Sequence, residues 1–136
     1  MTVSHGLSKT ATALAQREAR KLVDELNGVT AAVIATIDGF SVASAVTGDV
    51  DPARVAAMAS SIVAISGVVS EEARLGRQKS VIVQTESGFA VFCSVYRRDV
   101  ELVINVIARD SAVLALVSYR ATQLARTLAD TSPFHA

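Results

Sequence analysis

The chain has 136 residues, 51% of them hydrophobic, 19% charged and 4% aromatic, and its 13 basic and 13 acidic side chains cancel. That balance excludes extended disorder and weighs against nucleic acid, whose phosphates require a basic face. A single cysteine, Cys93, excludes an internal disulfide and any multi-cysteine zinc site.

The length fits one domain over residues 1–136, with a core of about 8–129 and short tails at 1–7 and 130–136 expected to be flexible. The opening stretch lacks the continuous apolar run that export requires, and no segment reaches the ~18 uninterrupted apolar residues of a membrane span. A cytoplasmic protein without membrane insertion is the expectation. The apolar surplus is high for a small monomer and suggests a second buried surface.

Residues 8–26 read as a first helix, with Ala11, Leu14, Ala15, Leu22, Val23 and Leu26 at helical steps. Ser8 is its predicted N-cap and Asn27-Gly28 its stop. Strands are predicted at 30–37 and 40–46, joined by a two-residue Asp38-Gly39 turn; Asp38 is a turn residue on this reading. Asp51 and Pro52 then start a second helix, expected to run to about Leu75 and to stop at Gly76. Three more strands follow at 79–85, 89–96 and 101–108, with Ser87-Gly88 and Arg97-Arg98-Asp99 at the turns. Asp110 or Ser111 should cap a last helix, 112–129, with Val113, Leu116, Val117, Leu124 and Leu128 on one face. The closing "DTSPFHA" reads as a frayed tail.

The strands are apolar on both faces, so the sheet should be covered on both sides. Terminal helices on one face and the middle helix on the other is the economical arrangement.

At about 100° per residue the middle helix divides into two sides. Val55, Met58, Ala59, Ile62, Ile65, Val69 and Ala73 are predicted to face the sheet. Ala56, Ala57, Ser60, Ser61, Ala64, Gly67 and Val68 form a thin opposite side with no charge until Glu71, Glu72 and Arg74. Either this helix is buried inside the domain, or a second copy packs on the thin side across a two-fold axis. The second reading is favoured, because no further element is left to cover that side. An exposed sheet edge would join by pairing with its counterpart.

No residue here is assigned catalysis, cofactor binding or metal ligation. The seven glycines match neither phosphate-loop spacing. His5 and His135 sit in the tails, and Cys93 in an apolar strand reads as a small buried hydrophobe. Asn105 is expected to satisfy a local hydrogen bond or face a helix end. Arg97-Arg98 is either a solvated hairpin tip or a contact for an acidic partner. The cluster Glu71, Glu72, Arg74, Arg77, Gln78 and Lys79 is either a solvated helix end or the polar rim of an interface. A small-molecule sensor is disfavoured, since only Asn105 and Ser94 could serve as polar groups in an apolar site.

Three stretches, with the Ala/Ser-rich second helix between the first and second of them, carry a family resemblance: "LNGVTAAVIATIDGFSVASA", "SVIVQTESGFAVFCSV" and "VELVINVIARDSAVLALV". Together they resemble the roadblock family, the roadblock-type dynein light chains and their bacterial and archaeal relatives, over about residues 20–129. The resemblance implies an α/β fold, a profilin-like α-β-β-α-β-β-β-α sandwich with a five-stranded antiparallel sheet. It also implies a homodimer with third strands paired edge to edge and second helices side by side. Carried over, the dimer contacts fall on Ala57, Ser60, Ser61, Ala64, Gly67, Val81 and Val83. Family members commonly serve small Ras-like GTPases as activating proteins, exchange factors or scaffolds through the paired second helices. The resemblance implies that this chain is a non-catalytic activating protein, exchange factor or effector. On that resemblance Arg54, Glu71, Arg74 and Arg77 are the partner-binding candidates. The alternative is a nucleotide-independent adaptor in a larger signalling or motility complex.

Overall fold

A computed structural model describes residues 6–129. The predicted tails and the histidines at 5 and 135 lie outside these residues, apart from Gly6 and Leu7. The order is α1 (Lys9–Glu25), β1 (Val29–Thr36), β2 (Ser41–Val46), α2 (Pro52–Glu72), β3 (Ser80–Gln84), β4 (Gly88–Val95), β5 (Leu102–Arg109) and α3 (Leu114–Ala129). All five strands join one antiparallel sheet in the order β2-β1-β5-β4-β3. Helices α1 and α3 pack on one face and α2 crosses the other, as expected.

Local chemistry accounts for most boundaries. The Ser8 hydroxyl accepts from the Ala11 amide at 3.1 Å, and Asp51 Oδ1 accepts from the Ala53 amide at 3.0 Å, so both predicted caps are made. The first hairpin differs from its expectation. Asp38 keeps a negative φ, and Gly39 alone turns left-handed at φ +98°. The Thr36 carbonyl accepts from the Gly39 amide at 2.9 Å, while the Thr36 amide donates to the Phe40 carbonyl at 2.8 Å. A three-residue loop therefore replaces the two-residue turn, and the register shifts between Ile34 and Ala35. Helix α3 starts two residues later than predicted, after a turn in which the Ala112 amide donates to the Arg109 carbonyl at 2.9 Å. Its first intrahelical acceptor is Val113, which with Leu116 lies exposed rather than on the packed face of Val117, Ala121, Leu124 and Leu128.

The larger core lies between the sheet and the terminal helices, around Ala15, Ala19, Leu22, Ile34, Ile104 and Leu128. Ala15 and Ala19 let α1 sit close to β2, and the Gln16 amide then reaches the strand backbone. It donates to the Ser44 carbonyl at 2.8 Å and accepts from the Ser44 amide at 3.0 Å. The free edge of β2 is thus occupied at its centre by a side chain of the same molecule.

Arg97 is not a solvated hairpin tip. Its side chain is 7% exposed, clamps both carboxylate oxygens of Asp99 at 2.8 Å, and donates to the Leu128 carbonyl in the last turn of α3. The guanidinium satisfies a helix-end carbonyl and ties the β4–β5 turn to α3. Hydrogen bonding from Arg97 holds the Asp99 carboxyl below its ordinary range. A carboxyl held low in the fold stabilises it above about pH 3.9, and that contribution disappears as pH falls through the lowered value. Asp99→Asn should therefore cost about 1 kcal/mol at neutral pH, discounted because the carboxylate is 38% exposed. Denaturant curves of the two proteins should converge on acidification below the ordinary carboxylate range; a gap that persists there would contradict the assignment.

Candidate protein-interaction surface

Helix α2 buries one narrow arc. Val55 and Ala56 pack with Val33 and Ala35, and Ala59 and Val63 pack with Phe92 and Val103. Beyond Val63 no α2 residue is fully buried. The helix is consequently rotated from the orientation read from its sequence. Ala56, expected outside, is buried, whereas Met58, Ile65 and Val69, expected on the sheet, are exposed by 54%, 68% and 59%. Alanines admit a closer approach of helix to sheet than larger side chains would, so the small residues go inward here. The outer side is therefore broader and more apolar than a stripe of Ala and Ser.

Of the residues predicted for self-association, Ala57, Ser61 and Ala64 are exposed on α2, while Ser60 and Gly67 are half-buried. Ser60 lies beside the β1–β2 turn at Gly39, and Gly67 beside the Gln78 amide. On β3, Val81 is half-buried under α2, and Ile82 and Val83 are 43% and 40% exposed. Unlike β2, this edge strand has no covering element among the described residues. The exposed flank of α2 and the open edge of β3 adjoin through Ile62 and Val81, which pack in one cluster.

By length and composition α2 could cross a bilayer: it has 21 residues, and an 18-residue window within it has a mean hydropathy of 1.6. In this fold it instead lies on the sheet, with Arg54 near its start and Glu71 and Glu72 at its end.

The partner candidates divide into two groups. Glu71, Arg74 and Arg77 line one open cleft of about 520 Å³ at the end of α2, together with Ser70, Gln78 and Tyr96. Arg54 stands near the start of the helix, about 25 Å away at 1.5 Å per residue. The cleft has a fixed wall. The Arg77 guanidinium stacks 4.0 Å from the Tyr96 ring centre, and the Tyr96 hydroxyl donates to the Gln78 carbonyl at 2.7 Å. The Gln78 amide reaches under α2, donating to the Val63 carbonyl at 2.8 Å and accepting from the Ser66 hydroxyl. These contacts hold up the half of α2 that the sheet core does not reach.

Arg74 occupies the left-handed region at φ +56°. The Arg74 amide donates to the Glu71 carbonyl at 3.1 Å and the Leu75 amide to the Ser70 carbonyl at 2.9 Å, so α2 ends in a Schellman motif just before Gly76. Glycine is the usual residue there. Cys93 is 2% exposed, and burial pushes its thiol up. Asn105 is 1% exposed on the α2 side of the central strand β5, between Val33 and Phe92. Its Oδ1 has no hydrogen-bond partner, so the expected local bond is not made by that atom.

A family profile described as the Roadblock/LC7 domain matches residues 15–108. Among solved structures, a Roadblock/LC7 domain from Streptomyces avermitilis is 18% identical, with a TM-score of 0.74 over 83% of this chain and 92% of that one. The gliding protein MglB from Thermus thermophilus is 14% identical, with a TM-score of 0.77 over 96% and 98%. Myxococcus xanthus MglB is 16% identical, with a TM-score of 0.77 over 95% and 93%. A comparison with curated proteins returns no significant match. At these identities the structural likeness speaks for the fold.

Replacing Arg74 with Gly should relieve the left-handed strain and stabilise the fold by about 0.5–1 kcal/mol in chemical denaturation. A destabilised Arg74→Gly protein would mean that the arginine side chain holds the helix end.

Proposed function

The chain belongs to the Roadblock/LC7 domain family, and on that premise we propose that it is a cytoplasmic, non-catalytic homodimer that regulates a small Ras-like GTPase. The observation that carries the dimer is the exposed apolar flank of Met58, Ile65 and Val69 on α2 beside the open edge of β3, where Val83 is exposed on the α2 face and Ile82 on the opposite face of the sheet. A two-fold axis normal to the sheet would pair β3 with its counterpart antiparallel and bring two α2 helices together on the same face. Both the open edge and the apolar flank would then be covered by one contact.

The paired helices would place two sets of Glu71, Arg74 and Arg77 on a single surface, which suits a folded protein partner better than a small ligand. A regulator must bind two nucleotide states of its GTPase with different affinity; equal affinity shifts nothing. Capture from the native lysate with GDP or with a non-hydrolysable GTP analogue distinguishes the modes. Recovery of a small GTPase with the analogue supports an activating protein or effector, and preference for GDP or the empty GTPase supports an exchange factor. Recovery of proteins indifferent to nucleotide would instead support an adaptor. Ile65→Arg should leave the monomer folded, since the side chain is already 68% exposed, and should abolish both the dimer in sedimentation and GTPase capture. A dimeric Ile65→Arg protein would refute the helix-pairing arrangement.

A further inference from the structure

Arg54 and Glu72 stand at opposite ends of α2, 18 positions apart. At 100° per residue that separation is about five whole turns, so the two side chains project from the same side of the helix, about 27 Å apart. Met58, Ser61, Ile65 and Val68 lie between them on that side, all exposed. The outer stripe therefore reads as one cation, an uncharged middle and one anion.

Both charges oppose their own helix. The first turn of α2 contains no acidic residue and the last turn no basic one. Arg54 sits among the unpaired amides of the N-terminus and Glu72 among the unpaired carbonyls of the C-terminus, where each is unfavourable in the isolated chain. Within the chain Arg54 has a loose contact to Asp51, at 4.0 Å with the guanidinium 86% exposed. Glu72 makes no ion pair among the described residues.

We propose that these two residues form reciprocal ion pairs across the dimer axis, Arg54 of each copy with Glu72 of the other, and that the pairs set the register and self-specificity of α2 association. The inference rests on the homodimer reading and commits to antiparallel helices. Only that arrangement meets both charges at once, and it sets each against the favourable end of the opposing helix dipole. A separate observation agrees with the register. The midpoint between positions 54 and 72 is Val63, which packs in one cluster with Val81 near the middle of β3. One axis normal to the sheet can thus pass close to the centre of both contacts.

The test is a charge exchange read by sedimentation equilibrium. Arg54→Glu and Glu72→Arg each improve the local match to the helix dipole, so the monomers should remain folded, as circular dichroism would verify. Each single variant sets like charges together at both ends and should raise the dimer dissociation constant by roughly 30-fold. The double variant should recover it. An equimolar mixture of the two single variants should form heterodimers of near wild-type affinity, because both pairs are restored between unlike chains. A wild-type dimer with indifferent variants, or a mixture without heterodimer preference, would overturn the pairing and leave the dimer standing. A wild-type protein that stays monomeric would overturn both.

Discussion

One helix cannot cover one face of a five-stranded sheet. Five strands at about 4.8 Å spacing are about 20 Å across, whereas a helix with its side chains is about 10–12 Å wide. On one face the shortfall is met by two helices, α1 and α3, joined by the Arg120–Glu25 ion pair at 2.7 Å. On the other, α2 lies alone and leaves β3 and its own flank open. A face apolar enough to be buried in the domain has nothing among the described residues to bury it. A second copy is the simplest complement, since self-association requires no other surface.

The two sheet edges are treated differently, and the difference gives the molecule a direction. At β2 the Gln16 amide takes the place of a neighbouring strand, using one donor and one acceptor at Ser44. At β3 no such side chain is present among the described residues. Pairing can therefore proceed at one edge while the other is blocked, which favours a closed pair over an open-ended ribbon. The charges on α2 follow the same logic, because their placement is unfavourable for an isolated helix and favourable for two antiparallel ones.

Several polar groups show where packing has overridden local preference. Arg97 lies inside the fold because one guanidinium can satisfy Asp99 and the end of α3 together. Arg74 takes a conformation better suited to glycine, at the rim of the cleft that also holds Glu71 and Arg77. Gln78 holds up the C-terminal half of α2 with an amide rather than with apolar contact. Asn105 keeps an unpartnered oxygen under the same helix, at a cost of order 1–3 kcal/mol for a fully desolvated acceptor. Three of these four sit at or beneath α2, the element read as the association surface.

Periodicity and turn chemistry in the sequence determined the eight elements, their order and the division of helices between the two faces. Alternation specifies strands, three- and four-residue steps specify helices, and Ser8, Asp51 and Gly28 act on their own neighbourhoods. The tertiary structure decided the rotation of α2. A helix with apolar residues on two sides offers the same periodic signal whichever side meets the sheet, and only the fit of Ala56 and Ala59 against the strands selects one. The burial of Arg97 and the blocking of β2 by Gln16 were likewise not legible in the sequence. Arg97 and Leu128 are 31 positions apart and Gln16 and Ser44 are 28 apart. Hydrogen bonds over such distances exist only once the sheet has brought its helices into place.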